Sequence, residues 1–136
     1  MREIKFRAWD NEENRFFPIG KLIWGIKGLE AFREDGWTID KIYSCVIEQY
    51  TGLHDKNGKE IYEGDLVKSE WSNQVSQIMF GEFNLDTDMS SECTIVGFYW
   101  GNKHNNDICG FGLDCDGKID KYEVVGNIHE NKELLK

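Results

Sequence analysis

The chain has 136 residues, 40% of them hydrophobic and 30% charged, with a formal net charge of −9 at pH 7. That length suits one domain, or a compact β-domain with an elaboration, and this balance of apolar and charged residues excludes a disordered chain. The negative charge is uneven: residues 1–68 hold 13 acids against 11 bases, while residues 69–136 hold 12 against 5, and an acidic second half repels the phosphate backbones that a nucleic-acid binder must neutralise.

In chain order, Ile4, Phe6 and Ala8 alternate with Lys5, Arg7 and Trp9, the period of a half-buried strand. If Ile4 and Phe6 face the core, Trp9 points outward, either toward a partner or over the rest of its own domain. Asp10 to Asn14 form a polar turn, and Arg15 to Pro18 return as a short strand. From Gly20 to Trp37 four glycines break any helical stripe, so short strands or irregular packing are expected. Ile39 to Thr51, rich in Ile, Val and Tyr, reads as one strand.

Lys56-Asn57-Gly58-Lys59 is a hairpin signal, since Asn-Gly suits the positive φ angles of a type I′ turn. Glu63-Gly64-Asp65 makes a second turn, and Leu66 to Lys68 then enter a strand with Val67 pointing inward. Further strands are expected at Gln74–Phe80, Cys93–Trp100 and Gly110–Asp114, the last meeting Lys118–Val125 across Asp116-Gly117. Asn84–Glu92 and Gly101–Asp107 read as polar connections, and the tail closes in a short helix or turn that docks Leu134 and Leu135. Short strands at regular spacing with glycine-rich turns define a mainly β fold, an SH3-like barrel or roll. Residues 1–48 form its β-rich N-terminal elaboration and residues 49–136 the barrel region with its tail.

No apolar stretch approaches the ~20 residues that cross a bilayer, so no membrane association is expected. The opening from Met1 to Phe6 lacks the apolar core of a signal peptide. Four scattered cysteines do not staple a secreted fold, which leads us to expect reduced thiols in a cytoplasm, with Cys45 a small core hydrophobe.

Three blocks carry a family resemblance. The opening Arg2-Glu3-Ile4-Lys5-Phe6-Arg7-Ala8-Trp9-Asp10 resembles the start of the YopX-like proteins of phages and prophages. Gln49-Tyr50-Thr51-Gly52-Leu53, Asp55-Lys56-Asn57-Gly58-Lys59 and Ile61-Tyr62-Glu63-Gly64-Asp65 resemble that family's central signature. Glu123-Val124-Val125-Gly126-Asn127-Ile128-His129-Glu130-Asn131, with Glu133-Leu134-Leu135, is similar to its closing motif, although His129 stands where an aromatic is usual and Lys132 where a proline is frequent. The resemblance implies an SH3-like β-barrel region and a phage or prophage origin. It implies no activity, cofactor or catalytic residue.

Candidate chemistry is sparse. Gly112 to Glu123 half-matches a calcium loop, with Asp114, Asp116, Gly117, Asp120 and Glu123 in register, but Gly112 supplies no carboxylate at the first position and the flanks read as strands. Cys93, His104, Cys109 and Cys115 would form a zinc site only if the loop folded back, because Cys109 and Cys115 are too widely spaced for a standard pair. His54 beside Asp55, and the group Glu60, Glu63 and Asp65, are the only candidates for acid–base work.

Function is therefore expected at a surface, without metal or cofactor. Aromatic residues make up 13% of the chain, and Trp9 and Trp71, with Lys5 and Arg7, are the candidate interaction residues. The leading expectation is a non-catalytic interaction module in the host cytoplasm, a homo-oligomer or the partner of a basic host or phage protein. The alternative is a nucleic-acid-binding barrel using Arg2, Lys5, Arg7 and Arg15 for phosphate. A small enzyme is third.

Overall fold

The computed structural model describes residues 3–34, 36–70, 73–87, 91–101, 108–110 and 122–135, of which 83–87, 91–95 and 108–110 are described by their backbone alone. Trp71, His104, Cys115, most of the calcium-like stretch and the expected Asp116-Gly117 hairpin lie outside them, as do the side chains of Cys93 and Cys109. The described residues are predominantly β, arranged in three sheets. The chain divides into two compact units, residues 1–50 and 51–136.

In the first unit, β1 (Phe6–Asp10) pairs with β2 (Arg15–Phe17) and with the first part of β6 (Cys45–His54). Asp10 shapes the first turn, its Oδ1 accepting from the N–H groups of Glu12 (2.8 Å) and Glu13 (3.1 Å), and Asn14 closes it at φ 54°. A second sheet holds β3 (Ile19–Gly25), β4 (Gly28–Glu34) and β5 (Ile39–Ile42) in that order. Ala8, Phe17 and Ala31 form the buried centre between them, flanked by Ile19, Leu22, Ile42, Cys45 and Ile47. Ala8 and Ala31 are both fully buried. Burial, and then the nearby Asp10 carboxylate, pushes the Cys45 thiol up from its ordinary value.

The single strand expected from Ile39 to Thr51 is two. The chain bends at Tyr43-Ser44 and changes sheet: β5 pairs with β4, whereas β6 pairs with β1. Ser44 anchors the bend, its carbonyl accepting from Asn11 N–H at 3.0 Å. A β-rich composition reports strand propensity but not a change of partner.

In the second unit, β7 (Glu60–Tyr62) neighbours the far end of β6. A five-stranded sheet follows in the order β11-β10-β9-β8-β12, with β8 Asp65–Ser69, β9 Val75–Thr87, β10 Ser91–Gly101, β11 Ile108–Gly110 and β12 Tyr122–Asn127. Ile61, Val67, Ile78 and Trp100 make its core, with Tyr122 and Val124 against it. A 3-10 turn, Lys132–Leu135, ends the described chain; Leu134 remains partly exposed.

Asn84–Glu92 differs from the polar connection expected there, because β9 runs on to Thr87 and pairs with β10 from Ser91 onward. β8 reaches β9 only at Val75–Gln77, and β11 reaches β10 only at Tyr99–Gly101. From Phe80–Phe98 out to Thr87–Ser91 the two strands have only each other among the described strands. Eight residue pairs make an arm about 27 Å long.

Candidate functional site

The signature segments meet in the second unit. Asp55 sits where β6 turns toward β7, and its carboxylate is almost entirely buried. Oδ1 accepts from the N–H groups of Asn57 and Lys59, each at 2.9 Å, and Oδ2 accepts from Val124 N–H at 3.0 Å. Burial alone would raise the Asp55 pKa, but these backbone donors and the Lys59 charge outweigh it and hold it below the ordinary carboxylate value. The turn is not the expected type I′: among the described residues only Gly58 of the Asn57-Gly58 pair has positive φ (+81°), and Gly58 N–H donates to Asp55 C=O. The aspartate side chain fixes this turn by bridging it, so Asn57 has no need of a left-handed conformation.

The second signature turn is tied down in the same way. Gly64 takes φ +84°, its N–H donates to Ile78 C=O, and its own C=O accepts from Ile128 N–H. Asp65 Oδ2 accepts from Tyr62 N–H at 2.8 Å, while Thr51 Oγ1 donates to Ile61 C=O at 2.8 Å. At the closing motif, Asn127 Oδ1 accepts from the N–H groups of His129 and Glu130, each at 3.0 Å. The central and closing signature blocks thus satisfy one another's polar groups. That is the work of a scaffold.

The residues expected to do chemistry are placed accordingly. His54 is exposed at the end of β6, while the adjacent Asp55 carboxylate is taken up by three backbone donors. Tyr62 OH donates to Glu60 Oε2 at 2.9 Å and Tyr62 N–H to Asp65, so that Glu60 and Asp65 are woven into the turn. Among the described residues no three His, Cys, Asp or Glu side chains are grouped to hold a metal. Beside the junction lies an open groove of about 320 Å³ lined by Lys56, Lys68, Ser69, Glu70, Asn73 and Glu123, with the Lys56 ammonium 3.7 Å from both Glu70 and Glu123.

Arg2 of the N-terminal basic stripe lies outside the described residues, and the other three basic residues face carboxylates. Lys5 Nζ lies 2.9 Å from Glu3, Arg7 Nε lies 2.7 Å from Glu48, and Arg15 pairs with Glu13. Lys5 also covers the Tyr50 ring and Arg7 the Phe16 ring. Trp9 is only 5% exposed and packs edge-on against Phe16 at 5.0 Å. Of the two placements open to it, Trp9 covers its own chain and is no outward anchor. Ile4, expected to face the core, is largely exposed, because β1 begins only at Phe6.

The exposed aromatic surface is elsewhere. The row of β3–β5 that faces the core, Leu22, Ala31 and Ile42, continues past it to the register pair Trp24–Leu29. Here Trp24 is 81% exposed, Ile26 fully exposed and Tyr43 86% exposed. Ile26 and Lys27 form the tip, and Gly28 at φ +112° closes it. Beneath lies an open cleft of about 530 Å³ lined by Ile26, Lys27, Leu29, Glu30, Lys41, Ile42, Tyr43 and Cys45. Lys41 pairs with Glu30 at 2.9 Å and lies over the Tyr43 ring. Sequence reasoning passed over this tip, although Ile26 between Gly25 and Gly28 carried a signal: hairpin turns favour polar residues, and an apolar one there is functional or misplaced.

A β-sheet protein whose shared motifs build a structural junction, with an apolar hairpin tip left exposed, is the class these features define. The YopX protein family profile matches residues 5–136, and the chain belongs to that family of phage and prophage proteins. The fold is similar to the crystal structure of protein EF1440 from Enterococcus faecalis, at 26% identity, a TM-score of 0.55 and coverage of 100% of both chains. None of the curated proteins matches the sequence.

Proposed function

We propose that the protein is a non-catalytic protein-interaction module of a phage or prophage, acting in the host cytoplasm through the apolar tip of β3–β4. The observation that carries this reading is the exposed apolar surface at the tip: Ile26 and Tyr43 line one open cleft with Leu29, Ile42 and Cys45, and Trp24, the register partner of Leu29, is exposed beside it. Folded monomers rarely leave contiguous apolar surface in water without a use for it, and aromatic residues are enriched at the centres of protein interfaces. The self-satisfied signature junction supports a scaffold role for the second unit, whose strands we read as an SH3-like barrel. Local pairing of Lys5, Arg7 and Arg15 with carboxylates weighs against a phosphate-binding stripe.

The test is paired affinity capture from infected host cells, with and without nuclease, using the tagged wild type and an Ile26→Asp variant. Retention of a stoichiometric protein by the wild type and its loss by the variant is the expected result. Equal retention by both would place the working surface elsewhere, and retention abolished by nuclease would favour the nucleic-acid reading.

A further inference from the structure

Resting on that reading of the tip, we propose that its partner docks as an extended peptide strand, paired through its backbone to the open edge of β4 in the cleft. β4 outruns the strand beside it. Gly28, Leu29 and Glu30 pair with Gly25, Trp24 and Ile23 of β3, but β5 ends at Ile42, the register partner of Ala31. The chain then bends at Tyr43-Ser44 and leaves the sheet, so no described strand continues the pairing beside residues 28–30. Cys45 closes the last rung: its thiol accepts from the Ala31 N–H and donates to the Ile42 carbonyl at 3.5 Å. Backbone groups alternate sides along a strand, so Leu29, two positions before Ala31, turns its N–H and C=O the same way. Leu29 lines the cleft with Ile42, Tyr43 and Cys45, and no hydrogen bond takes up its outward backbone groups among the described residues.

These features select the occupant. A donor and an acceptor side by side on a sheet edge match an extended backbone, which presents the complementary pair. The edge from Gly28 to Glu30 takes about 10 Å of strand. The peptide residue opposite Leu29 sets its side chain on the face shared by Leu29 and Ile42, and so is apolar. Charge sets its flanks. The cleft is lined by two lysines, Lys27 and Lys41, and one glutamate, Glu30. Lys41 and Glu30 neutralise each other at 2.9 Å, whereas Lys27 has no ion pair among the described residues. The surplus is a positive charge at the tip, which favours an acidic residue beside the apolar one. Main-chain bonds then supply affinity, while the apolar wall and Lys27 supply selectivity.

Amide hydrogen exchange at Leu29, followed by NMR on the full chain, tests this. The probe is a pool of short capped peptides, each with a central valine, leucine or phenylalanine, threonine on both sides and aspartate at both ends, added up to about 1 mM. The Leu29 N–H is expected to exchange freely in the dilute chain and at least ~10-fold more slowly with the pool. A pool N-methylated at the central residue, which lacks the donor for the Leu29 carbonyl, is expected to give no protection. Lys27→Glu, or lysine in place of the peptide aspartates, is expected to weaken binding by about 3- to 10-fold, and the two changes together recover most of the loss. A Leu29 N–H already protected in the dilute chain, no protection by the pool, or equal protection by the N-methylated pool overturns the inference. So does protection that grows with protein concentration alone, which assigns the edge to a second copy. The two readings separate: if Ile26→Asp loses a captured protein while no peptide protects Leu29, the strand partner alone falls. An Ile26→Asp variant unchanged in capture and in peptide binding overturns the tip as well.

Discussion

Asp55 and Val124 lie 69 positions apart and are joined by a 3.0 Å hydrogen bond from the Val124 N–H to the Asp55 carboxylate. The same carboxylate closes its own turn through Asn57 and Lys59, so one side chain ties the central signature to the closing one. Asp55→Ala leaves three backbone donors without this acceptor and is expected to cost about 2–4 kcal/mol in urea unfolding. Asp55→Asn keeps an acceptor oxygen and should cost less than the alanine variant.

The same residue sets a pH dependence. Its folded-state pKa lies below the unfolded value of about 3.9, so its stabilisation is fully present above that pH and is lost as pH falls through the folded value. Unfolding free energy measured from pH 6 down to pH 2 should therefore decline at the acid end. The decline should be shallower in Asp55→Asn, and parallel curves for the two proteins would remove Asp55 from the account.

Glu48 is only 2% exposed and depends on Arg7, whose Nε lies 2.7 Å away. Arg7→Ala removes the guanidinium facing a buried carboxylate and is expected to cost about 3–5 kcal/mol, whereas Arg7→Met combined with Glu48→Leu should recover most of that loss. Equal destabilisation in the single and double variants, by chemical denaturation, would show that shape rather than charge is being measured.

Gly64 holds φ +84° at the second signature turn while donating to Ile78 and accepting from Ile128. Gly64→Ala forces a β-carbon into left-handed geometry and should lower stability by about 1–2 kcal/mol. A neutral result in thermal unfolding would mean that the turn relaxes.

Much of the strand pattern was legible in the residues: the strand around Ala8, the Asp10 turn, the Gly64-Asp65 turn and inward-pointing Val67 all follow from local chemistry, although the alternation expected around Ala8 gives way to consecutive burial of Ala8, Trp9 and Asp10. What was not legible depended on partners distant in sequence. The bend at Tyr43-Ser44 is set by Asn11 and by a change of sheet. Residues 84–87 and 91–92 of the polar stretch are strand because each pairs with a register partner across the hairpin. Trp9 was singled out correctly as lying on the same strand face as Arg7, but alternation cannot tell an exposed face from one buried beneath Phe16. The exposed tip was missed because Trp24 lies in β3 and Tyr43 at the bend that follows β5, and only the pairing of β3, β4 and β5 brings these segments into one sheet.

Hydroxyl-radical footprinting, comparing dilute purified protein with the same protein in infected host cells, is the most direct test of the claim that the tip is the working surface. Trp37 serves as an internal control, since it is almost fully exposed and lies between β4 and β5, at the opposite end of β4 from the tip. The account predicts that Trp24, Ile26 and Tyr43 lose reactivity in the cell while Trp37 keeps it. Unchanged reactivity at all three tip residues would contradict it.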